Sequence, residues 1–318
     1  MDLQSLAARV RENISRVIVG KDDEVTLLLT SVLCRGHVLM EDVPGTGKTV
    51  LAKSLARSVD CVFSRVQFTP DLLPGDVTGL SVFDARQAEF VFKPGPVFAN
   101  ILLADEINRA TPRTQSALLE CMEEKQVTVD GVTRPLAEPF LVIATQNPIE
   151  TQGTFPLPEA QLDRFFMKLR IGVLSHEDAV KVLDRFLSAD PLSELKPVCD
   201  AREIVRAQSA VRECEVSPAV RDYIASLAEA TRRAANVALG VSPRGMLALM
   251  RACQAYALIQ GRDFVTPDDV KALAIPVLAH RVIVRGVYGQ TDASEKAVME
   301  ALSSLEAPTE TVERENAQ

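Results

Sequence analysis

Long apolar runs are missing from this 318-residue chain, and none reaches the roughly 18 residues that a membrane-crossing helix needs. The start, Met1-Asp2-Leu3-Gln4, carries neither a basic nor an apolar stretch of the kind that directs export, so a soluble, cytoplasmic protein is expected. Glycine and proline are not in excess, at 15 and 18 residues, which excludes collagen-like and low-complexity chains. Positive charge is not in excess either. With a formal net charge of −8, no global basic field draws the chain to nucleic acid. The six cysteines contain no C-x-x-C pair, and His37, His176 and His280 show no ligand spacing. Neither a zinc site nor a disulfide framework is expected, and the thiols read as reduced core residues.

What is present is an ordinary globular composition, 47% hydrophobic and 25% charged, in a chain long enough for about two domains. In the first half, short apolar runs at 37–40, 62–68, 101–104, 140–145 and 168–172 are interspersed with helical patterns such as 50–59 and 112–123. Strands apolar on both faces predict an α/β fold, a parallel sheet with helices on both faces. Two inserts interrupt it. Around Asp130-Gly131, the segment 126–133 has the composition of a hairpin with a two-residue turn, and 79–92 is a weaker second case. From about residue 175 helical signals dominate. Ser217-Pro218, Ser242-Pro243 and Thr266-Pro267 each place a hydroxyl cap before a proline at the first helical position. Thr266-x-x-Asp269 and Ser175-x-x-Asp178 resemble capping boxes. The expected organisation is an α/β domain over 1–174, an all-helical domain over 175–306 and a polar tail over 307–318.

The strongest chemical signal is Asp42-Val43-Pro44-Gly45-Thr46-Gly47-Lys48-Thr49, after a strand and opening a helix. A phosphate chain needs inward backbone N–H groups, glycines that let the backbone approach, a lysine for the β/γ charge and a hydroxyl for Mg²⁺. Gly45, Gly47, Lys48 and Thr49 supply these, with Pro44, Thr46 and Val50 completing the expected nucleotide-binding loop. The pattern departs from the strict P-loop at Asp42, where glycine is usual. A second apolar strand ends in Asp105-Glu106, and an acid on the strand beside the phosphate loop serves the Mg²⁺ shell. That role falls to Asp105, and Glu106 suits a base that orients or deprotonates the attacking water. A third strand runs into Gln146-Asn147-Pro148. Asn147 could bond the γ-phosphate or the water, and it equally fits a turn before proline.

Together with Asp105–Ala110, Thr145–Pro148, Leu157–Phe165 and Ser242-Pro243-Arg244, the Val43–Thr49 loop makes the chain resemble the MoxR family of AAA+ ATPases over nearly its whole length. The resemblance implies a nucleotide domain followed by a helical lid, assembled as a ring, usually a hexamer, with ATP and Mg²⁺ at subunit interfaces. It implies that Asn147 senses the γ-phosphate, that Arg164 is the finger reaching a neighbour's ATP, and that Arg244 is the lid's sensor arginine. By the same resemblance Val19 and Gly20 border adenine, and the partners are protein complexes matured or activated by a chaperone-like action, often through a von Willebrand factor A domain. From the residues alone, Arg164 also fits a surface ion pair and Arg244 a solvated side chain, although a cation in a helix's first turn opposes the macrodipole. Arg109 and Arg113 fit a solvated helix start.

Other functions stay open at this level. A nucleic-acid motor lacks any basic stretch or appended DNA-binding domain here. A non-hydrolysing switch would not need Glu106. A GTPase would need Asn-Lys-x-Asp, and no asparagine in the chain precedes a lysine.

Overall fold

The structure, a computed structural model, describes residues 2–148, 153–187, 190–286 and 291–309. It divides into two compact units, Met1–Val211 and Arg212–Gln318. In the first unit, α1 (Leu3–Ser15) and α2 (Asp22–Leu33) precede β1 (Val38–Glu41), and the loop after β1 opens α3 (Lys48–Ser58). The chain continues through β2 (Phe63–Gln67), α4 (Pro74–Thr78), the hairpin β3 (Gly79–Asp84) and β4 (Glu89–Pro94), and β5 (Ile101–Asp105). Then come α5 (Pro112–Glu124), the hairpin β6 (Gln126–Val129) and β7 (Val132–Pro135), β8 (Leu141–Gln146), α6 (Glu159–Leu162) and β9 (Met167–Leu169). Helices α7 (His176–Phe186), α8 (Pro191–Glu194) and α9 (Ala201–Ala210) end the unit.

Five strands form one parallel sheet in the order β2-β5-β8-β1-β9. Side chains alternate along a strand. Leu39, Leu102, Ala104, Val142 and Ala144 face α5, whose Leu118, Leu119 and Met122 share their buried cluster. Val38, Met40, Leu103 and Ile143 are equally buried on the other face, where α3 packs against β5 and α2 against β9. Each fully buried side chain of this size stabilises the fold by about 1.5–3 kcal/mol, and double-sided burial is why these strands read as continuous apolar runs.

Both hairpins form. Asp130 and Gly131 have φ of 53° and 74°, the left-handed pair that a type I′ turn requires. The ladder β3–β4 runs from Gly79↔Pro94 to Asp84↔Glu89, longer than its sequence suggests, and an edge-on pair of Phe83 and Phe90 at 5.5 Å supports its tip. Strand β9 is shorter than the expected 168–172, because beyond Leu169 the N–H groups of Ile171 and Gly172 turn to the Asp42 carboxylate.

The division after Val211 differs from the expected 174/175 boundary, since the segment from α7 to α9 is bonded to α1, α2 and α3. Gln208 Nε2 donates to Val32 O (2.8 Å), Asn13 Nδ2 to Lys196 O (2.9 Å), and Val198 N–H to Ser58 O (2.9 Å). The second unit holds α10 (Pro218–Arg233), β10 (Val237–Leu239), α11 (Pro243–Ile259), α12 (Pro267–Leu278), β11 (Ile283–Val284) and α13 (Thr291–Ser303). Ser217, Ser242 and Thr266 cap their helices as expected, and Thr266 and Asp269 close a reciprocal box. The antiparallel pair β10–β11 is an addition to the expected all-helical domain. Most of the expected tail, residues 310–318, lies outside the described residues.

His37 clamps the N-terminal edge of the sheet. Its Nδ1 accepts from Val142 N–H (2.9 Å) and its Nε2 lies 3.0 Å from Met122 O, an arrangement that suits a neutral ring donating from Nε2. Burial lowers its pKa from 6.5 to about 4. The unfolded chain therefore takes up this proton near pH 6.5 and the folded chain only near pH 4. Stability is full above pH 6.5 and falls as the pH drops toward 4, by up to about 3 kcal/mol. Denaturant unfolding at pH 7.5 and 4.5 should show this loss in the wild type and a smaller one in His37→Gln, whose amide offers a donor and an acceptor but does not titrate. Equal losses would remove His37 as the cause.

Candidate active site

The site lies at the C-terminal edge of the parallel sheet. Gly45 and Gly47, at φ 86° and 91°, turn the chain from β1 into α3 through a conformation that only glycine adopts without strain. A Cβ on either would meet no atom within 4 Å, so the space over the loop is open. Helix α3 starts at Lys48 with no side-chain cap and no acid in its first turn, which leaves its N-terminal N–H groups for an anion. Thr49 and Val50 are half-buried in that turn, Pro44 is exposed, and Thr46 Oγ donates to Val43 O (3.4 Å). No hydrogen bond of the Thr49 hydroxyl occurs among the described residues.

Lys48 Nζ donates to Asp42 O (2.8 Å). Partial burial lowers its pKa, and Asp42, Asp105 and Glu106, in that order, oppose the shift electrostatically. The lysine thus stands within the field of all three carboxylates. Asp42 itself is buried and accepts from the N–H groups of Ile171 and, at 3.1 Å, Gly172. The residue that departs from the P-loop pattern therefore ties the loop to the end of β9, a bond that glycine could not make.

Asp105 does not stand on the strand beside the phosphate loop, as expected; β8 lies between β5 and β1. The acids approach Lys48 across β8, about 10 Å in two interstrand steps, and Thr145 of β8 fills the interval. Its Oγ donates to Asp105 Oδ1 (2.6 Å) and accepts from Glu106 N–H (2.8 Å). Arg65 of β2 grips Asp105 Oδ2 with two nitrogens, at 2.7 and 3.1 Å. Gln67 Nε2 and Arg109 Nη1 donate to Glu106 Oε2 at 2.7 and 3.1 Å. Glu106 holds φ 55°, a strained conformation for glutamate and one that clusters at functional positions.

Asn147, buried, follows β8 at the same edge, one residue past the Gln146 whose carbonyl accepts from Asp42 N–H (3.3 Å). Val19 is buried and Gly20 exposed before α2; a Cβ on Gly20 would meet the Asp178 carboxylate at 2.3 Å, so this segment packs against the start of α7. Within the first unit, one expected residue stands apart. Arg164 Nη1 bonds Leu119 O (3.1 Å) and Glu123 (2.8 Å) on the far half of α5, at the N-terminal edge of the sheet. Arg244 is exposed in the first turn of α11, in the second unit.

Residues 37–167 match the family described as ATPase family associated with various cellular activities (AAA), and residues 229–302 match the AAA lid domain. Chaperone MoxR1 of Mycobacterium tuberculosis is 42% identical over 280 residues, 85% of this chain and 74% of that protein. Protein MoxR of Paracoccus denitrificans is 36% identical over 86% of this chain and 87% of its own. The chain belongs to the MoxR family of AAA ATPases. The uncharacterized protein YeaC of Bacillus subtilis is 48% identical over 97% of both chains. A solved structure from Cytophaga hutchinsonii, a candidate ATPase, superposes with a TM-score of 0.88 at 35% identity over 96% of both chains.

Within this MoxR-family site, sequence reasoning missed Arg65, Gln67 and Thr145. Arg65 and Gln67 alternate along β2, and two polar residues at period two on one strand were the available signal. Thr145 stood inside the quoted Thr145–Pro148 motif, with no cue to its partners. Thr145→Val keeps the shape but orphans the Glu106 N–H and one Asp105 oxygen, at about 1–3 kcal/mol for an unsatisfied buried group. ATPase rate should fall at least about tenfold, with a lowered Tm. Unchanged turnover in the folded variant would show that Thr145 does not position the acids.

Proposed function

We propose that this chain hydrolyses ATP to ADP and phosphate at the α3 N-terminus and uses the nucleotide cycle to remodel protein complexes. The observation that carries the reading is the convergence of an open glycine loop, an uncapped helix N-terminus and Lys48 facing Asp105 and Glu106. The N–H groups of residues 44–50 bind the phosphates, Lys48 neutralises β/γ charge, and Val19 and Gly20 border adenine. Thr49 and Asp105 would hold Mg²⁺. The donor set fits, being a hydroxyl without a hydrogen bond among the described residues and a carboxylate, both hard oxygens; Asp105, whose two oxygens already accept bonds, suits contact through water. When bound, Mg²⁺ offsets charge on the phosphate oxygens.

Glu106 takes the proton of the attacking water as the water's oxygen bonds the γ-phosphorus and the β–γ bridge breaks. Its Oε2 is occupied by Gln67 and Arg109, which leaves Oε1 for the water. Asn147 hydrogen-bonds the γ-phosphate or that water. Arg164 acts on a neighbour's ATP. Its partners sit at the N-terminal edge, about 13 Å from the phosphate loop along β1 alone, so its own site is out of reach. Its partly exposed ion pair, worth about 0–1 kcal/mol, opens at little expense. Arg244 serves as the lid's sensor, its first-turn position being relieved by an anion.

The assembly we infer is a homo-oligomeric ring, a hexamer, in the cytoplasm, acting on a protein client of the von Willebrand factor A type; the relative named chaperone MoxR1 supports this over a nucleic-acid motor. No helix among the described residues is long and apolar enough to cross a membrane.

Fluorescent-nucleotide titration tests the site. Lys48→Ala should lose ATP binding, because Lys48 contacts phosphate in the ground state. Glu106→Gln should bind ATP and lose turnover by a factor of at least about 100. Wild-type affinity in Lys48→Ala would sink the assignment of the loop. Arg164→Ala should bind ATP, assemble and hydrolyse poorly. Mixed with Glu106→Gln and re-equilibrated, it should recover part of the ATPase rate, through interfaces that join an intact Glu106 to an intact Arg164. No recovery in rings shown by native mass spectrometry to be mixed would confine Arg164 to its own subunit.

A further inference from the structure

At the N-terminal edge of the sheet, away from the phosphate loop, the first unit holds a cavity of about 230 Å³. The 135–140 segment, which links β7 to β8, forms much of its wall, with Arg35 from the end of α2, Lys125 from the end of α5 and Gln208 from α9. Arg35 and Lys125 have left-handed backbones, φ 55° and 52°, because each closes the C-terminal turn of its helix, which brings the two cationic side chains to the same edge. The Lys125 ammonium forms no hydrogen bond or ion pair among the described residues. Burial is the main cause that holds its pKa below the ordinary value, the Arg35 guanidinium adds to that effect, and Glu138 opposes it more weakly. A half-buried cation with a second cation beside it is stabilised by an anion.

Glu138 does not fill that role. It pairs with Arg35 at 3.4 Å, both side chains being well exposed at 50% and 39%, and such pairs contribute little. Leu136 and Phe140, both buried, add an apolar wall. The volume is below the roughly 300–1,000 Å³ of pockets that take drug-sized ligands, so the occupant is fragment-sized.

We propose that this cavity binds a small organic carboxylate, with the anion on Lys125 and Arg35 and the apolar body against Leu136 and Phe140. The site is separate from the ATP site and stands whether or not the chain hydrolyses ATP.

Calorimetric titration of the full chain with 3-phenylpropionate tests this. Binding should weaken by about tenfold in Lys125→Met, weaken less in Arg35→Gln, and tighten in Glu138→Gln. The uncharged 3-phenylpropanamide should not bind the wild type, a comparison that needs no variant to fold. Inorganic phosphate is titrated into the Lys48→Ala background, to silence the phosphate loop, and should bind more weakly than the carboxylate. Absence of 3-phenylpropionate binding, equal binding of acid and amide, or full affinity in folded Lys125→Met overturns the proposal. Tighter binding of phosphate than of 3-phenylpropionate overturns the carboxylate assignment in favour of a plain anion site.

Discussion

Because β8 pairs in parallel with β5 on one side and with β1 on the other, the acids, the glycine loop and the buried asparagine all leave the sheet at one edge within about 10 Å. Thr145 supplies the chemical link in that arrangement. One hydroxyl donates to the Asp105 carboxylate and accepts from the Glu106 backbone, so a single side chain on the intervening strand ties the two acidic residues together. Arg65 and Gln67 on β2 complete the support from the outer side. A site held this way draws its precision from strand register, which double-sided burial of β5, β8 and β1 makes hard to shift.

Asp42 extends the same logic to the loop. A buried carboxylate is expensive unless it is hydrogen-bonded, and here the N–H groups of Ile171 and Gly172 satisfy it where β9 ends. The bond joins the first residue of the phosphate loop to the segment that packs near Gly20, since a Cβ at Gly172 would lie 3.9 Å from the Lys21 amine. The glycine usual at this position would keep the backbone bonds to Gln146 and Lys48 but lose the side-chain tie to the end of β9. The departure from the pattern is thus a structural tie rather than a weakening of the site.

The two edges of the sheet carry different chemistry. The glycine loop, Lys48, the two acids and Asn147 gather where the strands end. Arg164, the neutral His37 clamp and the Arg35–Lys125 cavity gather where they begin. Strand β8 runs between the edges, with the β7–β8 link lining the cavity and Thr145 holding the acids.

Local physics made much of this legible in the sequence. Glycine spacing before Lys48, the Asp130-Gly131 turn, the hydroxyl caps ahead of proline and the apolar runs of the strands each depend on residues within a few positions of one another; the turns and caps formed as read, and of the runs the last was cut short at Leu169. The departures are non-local. The sequence carried no cue that β8 separates β5 from β1, since strand order is settled by which buried faces pack together. Asp42 finds its partners 129 and 130 residues away, and Gln208 bonds Val32 from 176 residues away, which moves the unit boundary from 174 to 211. Arg164 lies near the acids in the motif order, yet its strand begins at the opposite edge. Residue types and short spacings determined which chemistry this protein carries; the parallel register of five strands decided which of those residues meet, because only the packed sheet converts distance along the chain into proximity in space.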